Sequence, residues 1–159
     1  MRTIRLTILA MLVVATTFGQ YKVDVEVDDM SETTSYLPER VILSENGVKG
    51  LMIQPLIDKK RGKMVSEHLI VMHFDIGSGC VENSKLIILF EDGQKVNMTA
   101  WNSFNCEDTN YFRFDLTKYS SPIEKIKFTH GRDYDSFTYT LSDKESRYFI
   151  EINNAMQSL

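Results

Sequence analysis

Lys85-Leu86-Ile87-Ile88-Leu89-Phe90-Glu91-Asp92-Gly93-Gln94-Lys95-Val96-Asn97-Met98-Thr99 spells out a β-hairpin. Asp92-Gly93 favours the positive φ angles that a tight two-residue turn demands, and such a turn matches the twist of the flanking strands. The run before it is almost wholly apolar after Lys85, which predicts a central strand covered on both faces. Gln94–Thr99 reads as the returning strand. Asn46-Gly47 repeats the signal between Arg40–Glu45 and Val48–Pro55.

The neighbouring segments keep a period of two. Tyr21, Val23, Val25 and Val27 alternate with Lys22, Asp24, Glu26 and Asp28, which predicts an outer strand with a wet acidic face. Residues 29–39 lack a period, contain Pro38 and read as a loop. A basic loop, Lys59-Lys60-Arg61-Gly62-Lys63, leads into a strand over Glu67–Ile76. There Ile70, Met72, Phe74 and Ile76 share one face, and Leu69, Val71, His73 and Asp75 the other. Three further strands are marked by Phe112, Phe114 and Leu116, by Ile126 and Phe128, and by Phe137, Tyr139 and Leu141.

The end of the chain changes period. Ser142-Asp143-Lys144-Glu145 is a capping box. Tyr148, Phe149, Ile152, Ala155, Met156 and Leu159 then fall on one helical stripe, predicting a helix over about 143–157. That stripe either packs on the strands of its own domain or binds a partner. Eight or nine strands and one helix predict an antiparallel β-sandwich, with a barrel as the alternative.

The N-terminal residues have a different character. Arg2 and Arg5 precede the apolar run Leu6–Ala15, and Thr16, Thr17 and Gly19 supply small side chains before Gln20. This is the pattern of a secretory signal peptide over residues 1–19, cut before Gln20. An uncleaved anchor is the alternative. The run is too short for a stable membrane-spanning helix, which needs roughly 20 apolar residues, and no later segment is apolar enough to cross a membrane. The expectation is one exported domain over residues 20–159, periplasmic or extracellular. Losing Arg2 and Arg5 lowers Lys+Arg from 18 to 16 against 22 Asp+Glu, a net charge of −6 (16 − 22). That acidity argues against nucleic-acid binding, which needs a basic field. With 43% hydrophobic and 11% aromatic residues and only three prolines, the chain has the material for a core.

The chain resembles small exported proteins of Bacteroidota-like bacteria that have no assigned activity. The resemblance rests on Phe18-Gly19-Gln20, on Cys80 to Gly93, on Asn105-Cys106, on Ile123–Phe128 and on the final Tyr148-Phe149 helix. It implies export and a β-rich fold, and it carries no catalytic residue.

The residues suited to chemistry are few. Cys80 and Cys106 are the only cysteines. An even count in an oxidising compartment predicts a disulfide, which would constrain the unfolded chain by roughly 3–4 kcal/mol. Two separate thiols are the alternative, and a cysteine nucleophile would further need a histidine within reach. His68 and His73 point to opposite faces of one strand and cannot share an ion. His73 and Asp75 share a face, but two ligands do not make a zinc site. His130 continues the Ile126–Phe128 face and reads as a histidine at the rim of the core.

Asp24, Glu26, Asp28, Asp29 and Glu32 lack the turned loop of a calcium hand and read as a solvated face. Gly77-Ser78-Gly79 lacks the lysine and helix of a phosphate loop. The basic loop over 59–63 either holds an anion or keeps a hairpin tip soluble. Trp101 with Phe104 and Tyr111 is a candidate platform for a sugar ring, or else a set of buried aromatics. No cofactor or metal motif is present. The expectation is a non-catalytic exported protein that binds a partner, a surface or a glycan. One alternative is a hydrolase assembled from distant strands, with the polar cluster His130, Asp133 and Asp135 the first place to look. Another is a subunit of a cell-envelope assembly.

Overall fold

The computed structural model describes residues 16–18, 21–76, 81–101, 104–105, 108–115, 118–130 and 136–157. The first strands are β1 (Thr16–Phe18), β2 (Tyr21–Asp28), β3 (Thr33–Pro38), β4 (Val41–Glu45), β5 (Lys49–Lys60) and β6 (Lys63–Phe74). They are followed by β7 (Val81–Glu82), β8 (Lys85–Phe90), β9 (Lys95–Thr99), β10 (Phe104–Asn105) and β11 (Thr109–Arg113). Then come β12 (Ile123–Thr129), β13 (Ser136–Thr140) and the helix α1 (Asp143–Gln157). All pairings are antiparallel. The large sheet runs β1-β2-β3-β5-β6-β11, with β4 also on β5, and the small sheet runs β13-β12-β8-β9. Both sheets keep open edges, so the fold is a mainly β sandwich and not a barrel.

The two sheets share one core. Leu43, Leu51, Ile53, Leu69, Val71 and Phe112 enter it from the large sheet, and Leu86, Ile88, Phe90, Ile126, Phe128 and Phe137 from the small one. Phe112 meets Phe128 edge-on across the sandwich, with centroids 6.5 Å apart. Tyr148, Phe149 and Ile152 of α1 are buried in the same core, so the helical stripe packs on its own domain. The capping box forms as read: the Ser142 amide donates to Glu145 Oε2 at 2.7 Å, and the Glu145 amide donates to Ser142 Oγ at 3.4 Å.

Turn chemistry explains most of the topology. Asn46 and Gly47 both have positive φ, 56° and 71°, and the Val48 amide returns to the Glu45 carbonyl at 3.4 Å. At Asp92-Gly93 the connection is three residues long instead of two. Phe90 and Gln94 face each other across Glu91-Asp92-Gly93, and Gly93 alone takes a positive φ of 84°, the pattern of a turn closed by a left-handed glycine. β8 is central as expected. Its Leu86, Ile88 and Phe90 are buried, while Ile87 and Leu89 are partly exposed.

Two segments read as loops are ordered differently. Residues 33–38 form β3, which pairs with β2 on one side and with the C-terminal half of β5 on the other. The basic stretch is a tight hairpin, because Arg61 and Gly62 both have positive φ, 52° and 75°, so β5 and β6 continue to Lys60 and Lys63. Pro55 lies inside β5 rather than ending it. It falls between the part of β5 that pairs with β4 (residues 49–53) and the part that pairs with β3 (residues 57–60). A missing N–H costs no ladder bond in that interval.

Thr16–Phe18, inside the stretch read as a leader, pairs with the start of β2. β2 is held on its other side by β3 over Val23–Asp28. Removing residues 1–19 would therefore leave β2 as an edge strand. Asp24, Glu26 and Asp28 along it are charges of the kind that discourage edge-to-edge pairing. Among the described residues there is no disulfide, and Cys80 and Cys106 lie outside them. No helix of the described residues is long and apolar enough to cross a membrane.

Candidate functional site

β6 sends alternate side chains to opposite faces of the large sheet. Leu69, Val71 and His73 enter the core, whereas His68, Ile70 and Met72 point outward and stay partly exposed. β11 is the edge strand beside it, in the register Thr109↔Met72, Tyr111↔Ile70 and Arg113↔His68. Tyr111 and Arg113 therefore share the outer face with Ile70 and His68, and Asn110 and Phe112 point inward. The chain leaving β9 is tied down at this edge. The Ala100 amide donates to the Ser84 carbonyl at 2.9 Å, and the Trp101 amide to the Tyr111 carbonyl at 3.1 Å. The second bond sets the indole beside Tyr111 and His68, with ring centroids 5.8 Å and 6.2 Å away. The indole remains 58% exposed.

Next to this aromatic group lies a groove of about 670 Å³. Its walls are Met64, Glu67 and His68 of β6, Arg113 of β11, Val96 of β9 and the segment that follows β11. That segment contributes Phe114, Asp115, Lys118 and Tyr119. Tyr119 is stacked between Phe90 at 4.7 Å and Phe114 at 5.3 Å, with ring planes within 9° and 4° of parallel. Because Phe90 belongs to the small sheet and Phe114 follows the large one, this stack ties the two layers together at the groove. The Lys118 ammonium pairs with Asp115 at 3.1 Å. The exposed Arg113 guanidinium has no ion-pair or hydrogen-bond partner among the described residues. The groove thus combines two carboxylates, two cations, an imidazole and an aromatic rim.

A second group lies inside the core. His73 of β6 and His130, just after β12, are each 3% exposed, and their rings meet at a centroid distance of 4.4 Å. His73 also stacks on Phe128 at 5.2 Å. None of the four ring nitrogens has a hydrogen-bond partner among the described residues. Burial pushes the His73 imidazole below the usual histidine range, neighbouring His130 pushes the same way, and Asp108 opposes them. Two imidazoles alone do not make a metal centre, and among the described residues no group of three His, Cys, Asp or Glu side chains is placed to hold an ion.

His68 and His73 do lie on opposite faces, as their spacing requires. His73 and Asp75 do not share one. β6 ends at Phe74, Asp75 turns out with a φ of 53°, and the parity breaks so that Ile76 is buried. His130 lies within the core rather than at its rim. Asp133 and Asp135, expected beside it, lie outside the described residues. Of the aromatic platform, Trp101 and Tyr111 are in contact, and the Phe104 side chain is outside the description. Sequence reasoning missed Glu67, Arg113, Asp115 and Lys118, which carry no motif. It also missed the meeting of His73 with His130, since alternation gave His73 one face of its strand without saying which face is buried and left His130 at the rim of the core. Compared with protein-family models, curated proteins and solved structures, the chain matches none.

Proposed function

We propose that the protein is an exported binding protein whose groove at the β6–β11 edge takes a saccharide. The observation that carries this reading is Trp101, an indole held by its own backbone beside His68, a wall of the polar groove, and left largely exposed. The apolar face of a sugar ring stacks on such an indole, and a large exposed aromatic beside a concave polar surface is a recognition feature. Sugar hydroxyls need both donors and acceptors. Glu67 and Asp115 accept, Arg113 and Lys118 donate, and the His68 imidazole can do either. The signal-peptide pattern of residues 1–19 supports export, to a compartment where glycans are met.

A Cys80–Cys106 bridge belongs to the same reading. The even cysteine count of an exported chain supports the bridge. Both carboxylates on the groove, Glu67 and Asp115, also favour a second reading, a glycoside hydrolase working by paired acids.

Trp101 is the only tryptophan in the chain, so intrinsic fluorescence reports directly on this site. Titration with a panel of oligosaccharides is expected to shift the emission for at least one of them. Trp101→Ala, its fold checked by circular dichroism, is expected to bind that sugar at least tenfold more weakly by calorimetry. A variant that binds as tightly as the parent would overturn the assignment of the site. Release of reducing ends during the same incubation would favour the hydrolase.

A further inference from the structure

We infer that the saccharide taken by this groove carries a carboxylate, and that Arg113 holds it while the sugar ring stacks on Trp101; the inference rests on the saccharide reading above. The groove's two cations are not equivalent. Lys118 is already committed to Asp115 at 3.1 Å, so that pair presents little net charge. Arg113 is exposed and uncommitted among the described residues. It projects from the outer face of β11 two positions beyond Tyr111 and directly opposite His68. Both Tyr111 and His68 lie against Trp101.

Two residues along a strand cover about 7 Å, so the guanidinium and the aromatic rim can engage neighbouring parts of one ligand. A planar guanidinium fork fits a carboxylate through two parallel hydrogen bonds, which gives geometry as well as charge. A neutral sugar would give Arg113 hydroxyl acceptors only, with no opposite charge to match its own. The chain's net charge of −4 offers an anion no long-range attraction. Preference for an acidic sugar must therefore arise at contact, through this one side chain.

The test compares sugars that differ only in that charge. The full exported chain is titrated with galacturonate and glucuronate oligosaccharides and with their methyl esters, at constant ionic strength, by Trp101 fluorescence and by calorimetry. At least one acid is expected to bind tenfold or more tightly than its ester. Arg113→Gln is expected to weaken the acid tenfold or more and the ester far less, so that the preference for the acid is lost. Arg113→Lys is expected to retain only part of the preference. Equal binding of acid and ester, or equal weakening of both in Arg113→Gln, would overturn the carboxylate while leaving the saccharide reading in place. If none of these ligands binds but neutral sugars do, the carboxylate alone fails. If no sugar of either kind binds, both readings fail together.

Discussion

His73 and His130 place two imidazoles in the core, and no ring nitrogen has a hydrogen-bond partner among the described residues. Their surroundings are largely apolar, with Phe128 against His73 and the backbone of Asp108 accepting from the His73 amide at 2.9 Å. Protonating His73 inside the fold is disfavoured by burial and by His130 and only partly relieved by Asp108. In the unfolded chain the same group titrates near pH 6.5. Above that pH both states hold His73 neutral, and the packing is fully effective. Below it the unfolded chain binds the proton first, so stability falls until the depressed folded value is reached. Between pH 6.5 and 5.5 the unfolding free energy from urea titration is expected to drop by up to about 1.4 kcal/mol per pH unit for this one proton. His73→Phe is expected to flatten the profile. An unchanged slope in that variant would remove His73 from the explanation. Alternation in the sequence gave His73 one face of its strand and left His130 at the rim, without showing that both turn inward. What it lacked was the pairing of two sheets that brings residues far apart in the chain to 4.4 Å.

Among elements, short-range stereochemistry was easy to read and long-range compensation was not. Asn46-Gly47, Asp92-Gly93 and the Ser142–Glu145 box all declare themselves, because each acts within a few residues. Arg61-Gly62 did not, since the lysines around it resemble a solvated loop, yet both residues take the left-handed conformation of a tight hairpin. Thr33–Pro38 looked aperiodic because its polar residues gain strand structure only from β2 and β5 on either side. Pro55 looked like a strand end because the split between β3 and β4, which spares its missing N–H, is a tertiary fact. The β7–β10 ribbon belongs to this scale too. It is two residues long on each side, too short to hold itself together by ladder bonds alone. The proposed Cys80–Cys106 bridge would fasten it. Unreduced, denatured protein is expected to show no reactive thiol at a monomeric mass, and reduction is expected to cost roughly 3–4 kcal/mol of stability. Two reactive thiols would argue against the bridge.

At the scale of the whole molecule, the sandwich class was legible from alternation and turns. The site was not, because it is made by the way two sheets end. β11 closes one side of the large sheet and β9 one side of the small sheet. The groove collects Arg113 from the first, Val96 from the second, and Phe114, Asp115, Lys118 and Tyr119 from beyond β11. No spacing within the chain encodes that meeting. Trp101 was legible as an aromatic candidate, but its exposure and its neighbours are products of the fold.

The Tyr119 stack gives this arrangement a thermodynamic signature. Phe90, Tyr119 and Phe114 act as a rivet through both layers, directly beneath the space a ligand would fill. Prying the layers apart at this corner would dismantle the binding surface, so occupancy and cohesion are linked. A saturating ligand is expected to raise the melting temperature, contributing about 2.7 kcal/mol at one hundred times its dissociation constant. In Tyr119→Leu the unliganded melting point is expected to fall and the ligand-induced rise to shrink, both visible by scanning calorimetry. A rise of undiminished size would show that the corner binds without being held from beneath. Heat resistance would then serve as a practical assay for finding the ligand, with the melting curve recording occupancy before any chemistry is known.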